Sequence, residues 1–256
     1  MRNRFRTVIV CGLFFVGTGA FAQESPVSQV LPFKKNIVKI NLTSLAFKNA
    51  SLQFEHVTSP KTSFALGVSF LPKTGLPFAS TLRDKFGDNA DAERAIETTK
   101  LSNFAITPEY RFYLGKAAPT GFYIAPFARY QHMSFEQVYS FTASNGKMHY
   151  PLIGGTINNI GGGVLLGAQW NLGSNMTFDW WIAGPIYGST SGLLTGTDDM
   201  SDLSAQDRAN LESDIESVEL PLTKLDATVG NNRVDVKLSG PYAGIRAFGF
   251  ALGIKF

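Results

Sequence analysis

The chain has 256 residues, 44% of them hydrophobic, with 21 Phe, 25 Gly and one cysteine, and 23 Lys and Arg against 20 Asp and Glu. Arg2, Arg4 and Arg6 account for the whole basic excess, so residues 23–256 balance at 20 against 20 and give no electrostatic argument for a nucleic-acid partner. Cys11 lies in the leading segment, which leaves the rest of the chain without a disulfide framework or thiolate chemistry.

The three arginines are followed by an apolar run, Val8–Val16, and then by Ala20-Phe21-Ala22. These are the three parts of a secretory signal peptide, with cleavage expected between Ala22 and Gln23. The run is too short for a membrane-spanning helix, which needs ~20 apolar residues, and no longer run follows. Residues 1–22 are thus read as a signal peptide, 23–35 as a periplasmic lead-in and 36–256 as one domain.

Period-2 alternation predicts eight strands in that domain. They are Asn36–Leu45, Ser51–Val57, Thr62–Leu71, Ser102–Leu114, Gly121–Tyr139, Asn159–Trp170, Asn175–Tyr187 and a last one from about Lys237 to Phe256. The third is the cleanest, with Phe64, Leu66, Val68 and Phe70 set against Ser63, Ala65, Gly67 and Ser69. Tight Gly-, Pro-, Asn- and Ser-rich turns join strands 2 to 3, 4 to 5 and 6 to 7. Long connections follow strands 3, 5 and 7, at residues 72–101, 140–158 and 188–236. An even strand number with short and long connections in alternation is the pattern of an outer-membrane barrel, whose short turns face the periplasm. Two acidic stretches in the long connections carry helical signals. Asp88–Thr98 is one; Ser201–Leu220 is the other, with Ser201 or Asp202 as cap and Leu203, Leu211, Ile215 and Val218 on one face.

The last strand closes on GFALGIKF and, with Phe248 just before it, places Phe248, Phe250, Leu252, Ile254 and Phe256 on one parity and Gly or Ala on most of the other. Pairing of the last strand with the first would explain such an ending, since closure removes the sheet edge. The stretch resembles the C-terminal signal read by the bacterial outer-membrane assembly machinery, which implies that partner for these five residues. The segments KINLTSLAF, ITPEYRFYLG with GFYIAPFARYQ, and GAQWNLG resemble a family of small outer-membrane β-barrel proteins of unknown function, common in Bacteroidetes (DUF3575-like). The resemblance implies a fold and a place in the envelope, and no activity.

An eight-stranded barrel is only wide enough for side chains to fill it. The inward parity supplies Lys39, Glu55, Glu109, Arg111, Arg129, Asp179 and Lys255, expected to form a paired charge network, with a narrow ion path as the alternative. Trp170, Trp180, Trp181, Tyr110, Tyr130 and Tyr187 are expected at the membrane interfaces. His132, Ser134 and Glu136 share one face of a strand and are similar to the H-x-S pair of outer-membrane lipid A deacylases, which makes them the candidate catalytic residues. In that family the acid comes from a neighbouring strand, a departure that weighs against the enzyme. His56, His132 and His149 are too dispersed for a metal site, and no cofactor is expected. The sequence therefore reads as an all-β, eight-stranded antiparallel transmembrane barrel with long extracellular loops. It is expected to be a non-enzymatic monomer in outer-membrane lipid, meeting extracellular ligands through its loops. A small passive channel is the alternative.

Overall fold

The computed structural model describes residues 34–87, 89–218 and 222–256, apart from the side chain of Ala247. The expected signal peptide and most of the lead-in lie outside the described residues. The elements in chain order are β1 (Asn36–Asn41), α1 (Leu42–Ala46), β2 (Ala50–Ser59), β3 (Thr62–Gly75), α2 (Ala79–Phe86), α3 (Ala90–Thr98) and β4 (Lys100–Tyr113). Then come β5 (Gly121–Val138), β6 (Phe141–Thr142), β7 (Met148–His149), β8 (Leu152–Leu172), β9 (Met176–Thr197), α4 (Ala205–Glu216), β10 (Lys224–Val229) and β11 (Arg233–Lys255).

Nine strands form one antiparallel sheet in the order β1-β2-β3-β4-β5-β8-β9-β11-β10. The first strand also returns to the last, with Ile37 opposite Lys255 and Asn41 opposite Ala251. All eight predicted strands are present. Alternation sorts their side chains cleanly: Phe64, Leu66, Val68 and Phe70 are exposed, while Ser63, Ala65 and Ser69 are buried. The exposed face is thus apolar, while the buried face holds the charged and polar side chains beside an apolar cluster that includes Tyr123, Phe127, Leu165 and Ile186, so charge is placed in reverse of a water-soluble sheet.

Four expectations about the elements need correction. The first strand stops at Asn41, because its side chain accepts the Ser44 amide at 2.9 Å and caps α1. The long connections are shorter than predicted, because the Gly- and Thr-rich segments Leu152–Asn158 and Gly188–Thr197 extend β8 and β9, and β10 pairs with β11. α4 begins after Ser204, not Ser201 or Asp202. Asp202 already accepts from Asn145 and Ser201 donates to Asp199, whereas Ser204 and Asp207 form a reciprocal capping box. Hydrogen bonds from Ser204 and Ser144 hold the Asp207 carboxyl down at about 2. Trp181 is buried at 8% exposure, because it follows Trp180 in an extended strand and must point to the opposite face.

The long-connection end has its own apolar core. Met200, Leu203 and Leu211 pack with Val229, Val234 and Val236, and Ile215 covers the cluster, while Val218 stays exposed. Those connections are therefore folded structure. β11 carries one irregularity: Phe248 sits at φ 55, and the buried parity changes there, from Arg246 and the even positions before it to Gly249, Ala251, Gly253 and Lys255.

Candidate functional site

Six charged side chains meet on the buried face near the short-turn end. Sheet register places them. Lys39 on β1 lies between Gln53 on β2 and Gly253 on β11. Glu55 and Glu109 flank Ala65, Arg111 faces Ser63, and Asp179 faces Gln169. The small partners leave room for the long side chains. At Gly253 an added Cβ would come within 2.9 Å of Lys39 Cγ, and at Gly167 within 2.3 Å of the Tyr123 ring, so both positions require glycine for close approach.

Lys39 Nζ reaches Glu55 Oε2 at 2.5 Å, Asp179 Oδ2 at 2.6 Å and Gln169 Oε1 at 2.6 Å. Arg111 touches all three carboxylates: Asp179 Oδ2 at 2.7 Å, Glu55 Oε2 at 3.4 Å and Glu109 Oε1 through Nε at 2.6 Å. Its Nη2 donates to Gln53 Oε1 at 2.8 Å. Arg246 Nη1 reaches Glu109 Oε2 at 2.5 Å, and its guanidinium lies 4.0 Å from the Trp181 ring centroid. Tyr113 and Ser63 donate to Glu55, and Tyr123 donates to Asp179. Three carboxylates thus meet three cations. Such a group can persist without water only when charges balance and lone pairs are filled, as here.

Five of the seven predicted interior charges, Lys39, Glu55, Glu109, Arg111 and Asp179, belong to this network. Arg129 does not. It donates to Thr107 Oγ1 at 3.0 Å and makes no ion pair among the described residues. Lys255 is buried at the sheet end, where it donates to Asn171 Oδ1 at 3.0 Å. Arg246 was missed, because the irregularity at Phe248 reverses the parity counted back from the last strand. A cation between Ile245 and Ala247 in an apolar strand was the available signal, since such charges turn away from lipid.

Beyond the network, toward the long connections, lies a cavity of about 410 Å³. Asn41, Ser69, Thr107, Arg129, Gln131 and Arg246 supply its polar lining, and Trp181 and Tyr242 line it as well. Among the described residues no carboxylate lines it. The Ser69 hydroxyl and the Asn49 side-chain amide oxygen, both of lining residues, are buried without a protein partner among the described residues.

The catalytic candidates are not assembled. His132 Nδ1 pairs with Asn158 Oδ1 at 2.8 Å, Ser134 Oγ with Ser102 Oγ at 2.6 Å, and Glu136 with Lys73. Among the described residues no hydrogen bond joins Ser134 to His132 or Glu136 to His132, the two contacts a triad uses.

Arg111→Leu should destabilise the refolded protein by about 3–5 kcal/mol, because it strands buried carboxylates. Arg129→Gln should cost about 1 kcal/mol, the worth of one ordinary hydrogen bond. Denaturant midpoints in detergent would compare them, and equal losses would contradict this division of the two arginines.

No curated protein matches this sequence. One family model does: that described as protein of unknown function (DUF3575) matches residues 13–187, which cover β1 to β8 and the first half of β9. With the greater part of its length matched, the chain belongs to the DUF3575 family.

Proposed function

We propose that this chain is an outer-membrane protein whose sheet closes on itself as an eight-stranded transmembrane barrel, through the pairing of β1 with β11. The observation that carries the reading is the inverted polarity of the sheet, with apolar side chains on the open face and ion pairs on the covered one. An exposed apolar face of that extent is unsuited to water and suited to lipid. At the network the cross-section is filled by Lys39, Glu55, Arg111, Tyr113, Tyr123 and Asp179, each at most 2% exposed. The barrel is therefore read as an anchor, and the channel alternative has less support. The working surface on this reading is the folded unit of α4, β10 and the ends of β8, β9 and β11, turned to the cell exterior, where an extracellular partner would bind. His132, Ser134 and Glu136 take no part in it.

An epitope inserted between Asn231 and Asn232 should be detected on intact Gram-negative cells, and the refolded protein should give no steady conductance in planar bilayers. Detection only after permeabilisation would reverse the orientation, and regular conductance steps would favour the channel.

The shared outward parity of Phe248, Phe250, Leu252, Ile254 and Phe256, all exposed but the half-buried Leu252, supports recognition by the barrel assembly machinery. Phe256→Ala should lower the heat-modifiable form in outer-membrane fractions several-fold, and an unchanged level would remove this role.

A further inference from the structure

β11 pairs with β9 from Arg233 to Ile254, but its other edge is shared. That edge pairs with β10 over Val234–Ser239 and with β1 over Ala251–Lys255. Between them, Gly240–Phe250 has no strand partner on that side among the described residues. The cause lies in β1, which Asn41 stops by capping α1. The five-residue α1 stands where the strand would continue, and Phe250 N donates to Thr43 Oγ1 at 3.0 Å. A membrane crossing takes about 9–11 strand residues. β1 pairs with β11 over only five residues, Ala251–Lys255, fewer than a crossing needs, so the lower part of this seam lies within the proposed span. Backbone without partners is tolerated at that depth only where it is covered by protein or borders a hydrated cavity.

The cavity behind the seam is of that kind. Thr43, Ser44 and Phe47 of α1 and its exit line it from one side, and Tyr242, Ile245 and Gly249 of β11 from the other. Its charge is unbalanced. Among the described residues Arg246 is neutralised by Glu109, no carboxylate lines the cavity, and Arg129 has a hydroxyl as its partner. Two of its lining residues are exposed and apolar, Phe47 and Ile245. A lone guanidinium beside amide and hydroxyl groups suits a carboxylate or phosphate. Exposed apolar side chains at the cavity's edge suit a hydrocarbon chain.

We propose that this cavity binds the oxyanion headgroup of a single-chain amphiphile. Arg129 is the anchoring cation, Gln131 and Thr107 are neighbouring polar contacts, and the chain leaves between α1 and β11. The proposal rests on the barrel reading above and adds a ligand to it.

The test uses refolded protein in an uncharged detergent and the fluorescent fatty acid cis-parinarate, read by energy transfer from tryptophan, one of which, Trp181, lines the cavity. Heat-modifiability of every sample is checked first, so that a failed barrel is distinguished from a failed site. Binding should be saturable. It should weaken roughly tenfold or more in Arg129→Gln and for the corresponding alcohol, and survive largely in Arg129→Lys. Inorganic phosphate should compete far less well than a second fatty acid. Equal binding of acid and alcohol, or an unchanged Arg129→Gln, overturns the proposal. Displacement by phosphate as effective as by fatty acid leaves an oxyanion site and overturns the lateral path. Should Arg129→Gln fail to fold, the acid-to-alcohol comparison on the unmodified protein still decides.

Discussion

Arg111 contacts all three carboxylates of the buried network, and much of the sheet is arranged to let it. A charged group shielded from water is tolerable only with opposite charge and hydrogen bonds on every side. Satisfying that demand draws on β1 through Lys39, β2 through Gln53 and Glu55, and β4 through Glu109. It also draws on β8 through Gln169, β9 through Asp179 and β11 through Arg246. The small inward residues Ser63, Ala65 and Gly253 follow from the same demand, since large side chains there would occupy the volume of the ion pairs. Strand register and charge placement are thus one constraint: a slip of one residue would turn the charges outward and the Phe and Leu side chains inward.

The same constraint separates two regions of the covered face. Near the short turns the charges cancel and the space is filled. One layer further, Arg129 stands outside the balance and a cavity opens. The wall changes at that level too, where α1 replaces the upper part of β1. Beyond it, β8, β9 and β11 continue and fold with α4 and β10 around Met200, Leu211 and Val234.

Alternation made the strands legible in the sequence, because one apolar and one polar face leave a period-2 signature wherever both faces differ. It failed where they do not. The extensions of β8 and β9 are rich in Gly, Thr and Ser and carry little contrast, so they read as loop. It failed again at single backbone events: Asn41 caps a helix inside an otherwise alternating segment, and Phe248 shifts the phase of β11. Those two residues account for the missed α1 and the missed Arg246. Trp181 was misplaced for a simpler reason: residue type suggested an interface, while its neighbour Trp180 already occupied the outward position. Which inward charges would pair was not legible at all, because partners such as Lys39 and Asp179 are 140 residues apart.

Trp180 and Trp181 also distinguish the two faces of the sheet, one proposed to meet lipid and the other covering its own ion pairs. The chain has three tryptophans, so variants retaining only Trp180 or only Trp181 need two Trp→Phe changes each. Refolded into vesicles of phospholipid with brominated acyl chains, Trp180 should lose much of its emission relative to unbrominated vesicles. Trp181, stacked beneath Arg246, should keep nearly all of its own. Equal quenching of the two adjacent residues, or quenching of neither, would contradict the account.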